Sequence, residues 1–384
     1  MKKPIIFIVS TLFLFVIVVQ TVNAQLVDPK FIDGNYILEV ANVYFEIKTK
    51  NGARFSSLKI NGTEIMFIGD SPGNWGSSFW PSPQSEWGWP PSNELDEDPY
   101  VGGIVEKKIW LTSDTDEVTN LSFSKTAYGD LADTSINIDY VMINQKNEDQ
   151  IFAPWEVTRV PSGGLAFFPA GDNDISGDMA ESTEIIGSNA WYNNANSSGS
   201  KFFSDSKGWL AHVDMNRNLF IKVFDDISLE MAAPGEAEVE VYSGGNYVEL
   251  ENQGDYAPIA ANDSIIWKVK WLVRQLPNNI DVNVGSESLI DYTISVINNT
   301  APNSIKKNYA IDLSLYPNPT SNNIYLTNLK LNGHFYRIYN ISGQIIANGN
   351  IEHQFIDVIN LNKGFYIIKI EDTHIQYIGT FVKQ

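Results

Sequence analysis

In a series of segments between residues 36 and 275 the apolar positions recur every second residue, and no long stretch repeats at the helical period. Alternation of this kind marks strands with one buried face. The segments "YILEVANVYFEIKTKNG" and "ARFSSLKINGTEIMFIG" read as strand, turn, strand, with Asn51-Gly52 and Asn61-Gly62 as hairpin signals. Further on, "DTSINIDYVMINQ" and "WLAHVDMNRNLFIKVFD" continue the series, the latter turning at Asn216 to Asn218. In "SIIWKVKWLVRQL", Trp267, Val269, Trp271 and Val273 share one face. In "EAEVEVYSGGNYVELEN", Glu236, Glu238 and Glu240 share a face that reads as solvated, and Glu249 and Glu251 share another, with Val248 and Leu250 facing the core. These elements predict one all-β domain over residues 25–289.

The ends of the chain differ from this body. Lys2 and Lys3, an apolar run from about Ile5 to Val19 and the exit "TVNAQ" form a secretory signal peptide over 1–24, cut after Ala24. The run is too short for a membrane anchor, so the mature form is expected to span no membrane. "VINNTAPNSIKKN" is polar and turn-rich, predicting a linker over 290–309. Residues 310–384 hold balanced charge, no tryptophan and short strands with Asn-Gly and Ser-Gly turns, which suits a small β-sandwich.

Charge and composition then narrow the function. The formal charge of −20 excludes nucleic acid and disfavours polyanions. With no cysteine, disulfides, thiol chemistry and thiolate metal sites are excluded, and no metal or cofactor is expected.

Aromatic chemistry points to sugars. Residues 73–92, "GNWGSSFWPSPQSEWGWPPS", hold Trp75, Trp80, Trp87 and Trp89 among prolines and glycines, a composition that predicts a loop without regular structure. Indoles on such a loop offer flat apolar walls with one N–H donor each, matching the C–H faces and hydroxyl edges of a saccharide, with Gln84 beside them. The alternative is a loop that folds back to plug the sandwich. In "APWEVTRVPSGGLAFFP", Trp155 stands beside Glu156 and Arg159, which either bind sugar hydroxyls or form a solvated ion pair. Glu249 and Glu251 either share an enclosed site, where repulsion raises a proton affinity suited to a general base, or line a solvated strand. Arg54 completes the candidates.

Two resemblances follow. "LSLYPNPTSNNIYL", "YNISGQII", "LNKGFYIIKI" and the terminal "FVKQ" resemble the C-terminal sorting domain of type IX secretion in Bacteroidota. That resemblance implies export by the Sec route and then the type IX machinery, ending in the medium or on the outer-membrane surface. "NGARFSSLKINGTEIM" and "VELENQGDYAPIAANDSIIWKVKWLV" resemble the first hairpin and late segment of the galactose-mutarotase-like supersandwich. The Trp/Pro segment and "PWEVTRVPSGG" resemble an uncharacterised bacterial branch of that fold. The resemblance implies a ligand arginine at Arg54 and, by "LENQ", the catalytic base at Glu251. Epimerases of that family also use histidines, and the body holds only His212, the Trp/Pro segment standing where their early histidine loop would be. The expectation is a secreted protein for polysaccharide utilisation that recognises a saccharide. The alternatives are an epimerase-like enzyme or a polysaccharide lyase or hydrolase with Glu251 as general base and Glu249 or His212 in support.

Overall fold

The computed structural model describes residues 25–69, 73–172, 174–193, 198–298, 309–313, 315–326, 334–340, 344–351, 355–371 and 375–384. The signal peptide, the end of the linker and the Asn332-Gly333 and Ser342-Gly343 turn signals lie outside these residues. The chain divides into a body ending at Thr300 and a tail beginning at Ala301.

The body is built from two stacked sheets, the all-β architecture that the alternation predicts. The first has twelve strands, whose middle runs Phe55–Ile60, Ser77–Ser82, Gln150–Pro161, Tyr247–Gln253, Val239–Gly244, Ser198–Ser204. The second has ten, with Asn218–Val223, Ser264–Gln275 and Ser135–Asn144 at its centre. Between them lies the main core, to which Phe45, Phe55, Phe79, Phe123, Val248, Leu250, Trp267 and Trp271 contribute. The predicted face of Ser264–Gln275 is thus the buried one.

Three expectations change. The stretch predicted to be a loop contains a fully buried central strand, Ser77–Ser82. Pro81 is tolerated there because it stands opposite Pro154 and its carbonyl accepts from Trp87 Nε1 at 2.7 Å, away from strand Gln150–Pro161. Its missing N–H therefore points to a side where Phe55–Ile60 pairs only at Ser77, and no ladder bond is lost. Gly76 precedes this strand at φ 61°, and a Cβ there would meet the Phe55 carbonyl oxygen at 2.4 Å, so only glycine lets the two chains approach.

The second change concerns the linker, predicted from residue 290. Residues 290–297 instead belong to helix Glu287–Ile297, N-capped by Ser286. Leu289, Ile290, Tyr292 and Val296 pack with Trp191, Trp209, Leu219 and Leu272 on the outer face of the second sheet. The third concerns the glutamates read as solvated: Glu238 and Glu240 are both buried.

The tail is a small sandwich, with a five-stranded and a three-stranded sheet around Ile324, Ile338, Ile368 and Phe381. Among the described residues no helix is long and apolar enough to cross a membrane.

Candidate functional site

Side chains on the outer face of the first sheet point away from the main core. Alternation places Ser78 and Trp80, then Trp155, Val157 and Arg159, then Tyr247, Glu249, Glu251 and Gln253, then Glu240 and Tyr242 on that face. Strand register sets them in rows: Trp80, Trp155 and Gln253 in one; Ser78, Val157, Glu251 and Glu240 in the next; Arg159, Glu249 and Tyr242 in a third.

The first row begins an aromatic wall. Trp80 meets Trp155 at 5.4 Å between ring centroids, Trp87 at 6.1 Å and Trp89 at 5.8 Å. Trp80, Trp155 and Val157 form an apolar cluster separate from the main core, with Trp87 packed on it. Trp89 stands 58% exposed at the rim. A hollow of about 60 Å³ opens beside Trp80, Trp87, Pro90 and Pro91. Gln84 lies in the turn Gln84–Glu86, its backbone N–H bonded to Glu236.

Each indole N–H of the inner wall reaches a carboxylate. Trp80 donates to Asp96 at 2.9 Å and Trp155 to Glu251 at 2.9 Å. Asp96 in turn accepts from Arg54 at 2.6 Å, and the Arg54 guanidinium lies 4.8 Å from the Trp75 ring. Trp75 is buried beneath it, so this indole packs and does not line the wall.

Beside the wall runs a charged network. Arg159 donates to Glu249 at 2.8 Å and to Ser78 at 3.1 Å, and its guanidinium lies 5.3 Å from the Trp80 ring. Lys201 bridges Glu251, at 2.9 Å, and Glu240, and passes 5.1 Å from the Trp155 ring. Burial pushes the Glu251 carboxyl up to about 7, against the pull of Lys201 and with Glu249 adding to the rise. Two buried atoms at the centre have no protein partner, Glu251 Oε1 and Arg159 Nη2. The centre is shielded, and Lys201, with 22% of its side chain exposed, is its most open member.

Two candidates lie elsewhere. Glu156 points between the sheets, where it accepts from Tyr140 at 2.5 Å and Trp271 at 3.1 Å and pairs with buried Lys222 at 2.9 Å. His212 is buried in the second sheet with Nε2 3.3 Å from the Gly163 carbonyl oxygen, and burial lowers its pKa to about 4. It does not meet Glu251. A hollow of about 540 Å³ lies on the second-sheet side, among Leu165, Val213, Asp214, Met215, Val282 and Val284. It holds none of the sequence candidates. No cluster of three metal-binding side chains occurs among the described residues.

Lys201, Glu240 and Asp96 are site residues that the sequence reading missed. The turn "SGGN" carried a usable signal for Glu240, because a hairpin closed there sets Glu240 opposite Glu251. Lys201 and Asp96 carried none.

Comparison with known proteins bears on tail and body differently. Residues 314–384 match the family model "Secretion system C-terminal sorting domain". The tail is a sorting domain of the type IX kind, which places the protein outside the cell or on its surface. No curated protein matches the chain. Among solved structures, the chain is similar to a putative aldose 1-epimerase from Escherichia coli K12, at 11% identity and TM-score 0.45, over 63% of this chain and 99% of that one. It is similar also to a galactose mutarotase-like protein from Lactobacillus casei, at 10% identity and TM-score 0.47, over 63% and 100%. A TPR-domain containing protein from Parabacteroides distasonis gives 12% identity and TM-score 0.48, over 72% of this chain and 56% of the other. At such identities and scores these likenesses say nothing about activity, so function has to be argued from side chains.

Proposed function

We propose that the secreted body recognises a saccharide on the outer face of its first sheet. The observation that carries this is the placement of Trp80, Trp87, Trp89 and Trp155 outside the core, with Trp155 hydrogen-bonded to the same Glu251 that keeps one oxygen unpartnered. A pyranose has an apolar face for the indoles and hydroxyls for Glu251 Oε1 and Arg159 Nη2. Glu249 and Lys201 hold these two groups in place, and Arg54 fixes the wall through Asp96. A glycan array probed with the full chain and with Trp89→Ala tests the reading. Binding by the parent and a severalfold loss in the variant are expected. No binding to any glycan by the parent rejects it.

A second reading, with Glu251 as general base of an epimerase, lyase or hydrolase, is favoured by one observation: burial brings its carboxyl to about 7, near the working range of a base. Under that reading Glu251→Gln abolishes turnover of an array-positive sugar and retains its binding. Equal turnover in the variant removes Glu251 from catalysis.

A further inference from the structure

A second aromatic surface lies on the same face at the opposite end of the charged network. Tyr247 packs at a tilt against Phe67, 5.2 Å between ring centroids, and lies 6.4 Å from Tyr242. All three residues are half-buried. The Tyr247 hydroxyl accepts from Asn74 Nδ2 at 3.0 Å, which fixes the ring edge. Its ring also occupies the place of a side chain at Gly244, where a Cβ would meet it at 2.2 Å. The surface is thus built into the hairpin that carries Glu249 and Glu251.

Register fixes its distance from the tryptophan wall. Trp155 stands opposite Gln253, and Pro161 stands opposite Tyr247. Six residue steps of strand separate those rows, about 20 Å at ~3.3 Å per residue. Arg159, Glu249 and Glu251 lie between them, including both unpartnered atoms. No single pyranose ring spans that interval.

We infer that this face binds a neutral glycan chain lying along the strands, with Tyr242, Tyr247 and Phe67 as a second sugar subsite beyond the tryptophan wall. The inference rests on the saccharide reading above and deepens it. Neutrality follows from charge. The three cations of the wall and the network are already paired, Arg54 with Asp96, Arg159 with Glu249 and Lys201 with Glu240 and Glu251, and these four carboxylates outnumber them. A uronate or sulfated chain would find the cations of the wall and network already paired and an opposing field from their carboxylates.

Affinity electrophoresis of the full chain through gels holding soluble glucan, mannan, xylan, galactan or polygalacturonate tests this, with the constituent monosaccharides measured by calorimetry. Retardation by at least one neutral polysaccharide and none by polygalacturonate is expected. Tyr247→Ala should weaken that retardation up to about tenfold, as loss of an aromatic contact does. Tyr247→Phe should restore it, and binding of the monosaccharide at the tryptophans should not change. Tyr242→Ala reads the same subsite if Tyr247→Ala does not fold. Monosaccharide binding without polysaccharide retardation, or retardation untouched by both alanine variants, overturns the extended site and leaves the tryptophan site standing. Retardation by polygalacturonate overturns the neutral class. If the parent binds neither monosaccharide nor polysaccharide, both readings fall.

Discussion

Replacing Lys222 by methionine separates the role of Glu156 from that of the outer face. Lys222 and Glu156 are both fully buried, and their ion pair lies between the sheets. Breaking such a pair costs about 3–5 kcal/mol, because the remaining charge is left without compensation. Here Glu156 keeps Tyr140 and Trp271 as donors, which favours the lower half of that range. The Leu250 carbonyl also loses its Lys222 bond at 2.8 Å, adding about 1 kcal/mol. The expected loss for Lys222→Met is therefore about 4–5 kcal/mol. Adding Glu156→Gln removes the stranded charge and should recover most of it. Urea unfolding followed by tryptophan fluorescence measures this on the full chain, because all ten tryptophans lie between residues 75 and 271 and the tail is silent. Glycan binding should survive in the double variant. A loss under about 1 kcal/mol for Lys222→Met would refute the argument, as would a Glu156→Gln protein of normal stability that no longer binds glycan.

Other consequences follow from burial and titration. The His212 pKa of about 4 lies below the ordinary value of 6.5, so the unfolded chain takes up the proton first as pH falls. Stability is then lost between about pH 6.5 and 4, by about 3 kcal/mol, and His212→Asn should flatten that part of the pH–stability curve relative to the parent. The Glu251 carboxyl is a better acceptor once ionised, so affinity for an array-positive glycan should rise with pH through about 7. A parent profile as flat as that of Glu251→Gln would remove this carboxylate from the contact. Leu289→Ala empties a fully buried position under the helix and should cost about 2–5 kcal/mol. A negligible cost would return residues 290–297 to the linker.

How much of this was legible depended on period. The two-residue alternation of "YVELENQ" alone puts Glu249 and Glu251 together and away from Val248 and Leu250, and the structure does the same. The same rule separates Glu156 from Arg159, three positions apart and hence on opposite faces of one strand, although the two were read as a pair. Strand Ser77–Ser82 was hidden by Pro81, whose tolerance depends on a partner proline 73 positions away. Helix Glu287–Ile297 was hidden by its brevity, since only 11 residues carry the period and polar ones interrupt it. Glu240 looked solvated because a glutamate on an alternating strand usually is, and Lys201 from the next strand, with the Ala237 N–H and Gln253 Nε2 as donors, makes its burial tolerable.

The central claim is a location, and a crystal structure of the full chain with an array-positive glycan tests it most directly. The account predicts a sugar ring against Trp80, Trp87 or Trp89, with hydroxyls bonded to Glu251 and Arg159. A glycan seated instead in the hollow lined by Val213, Met215 and Val284, with the tryptophan wall bare, would contradict it.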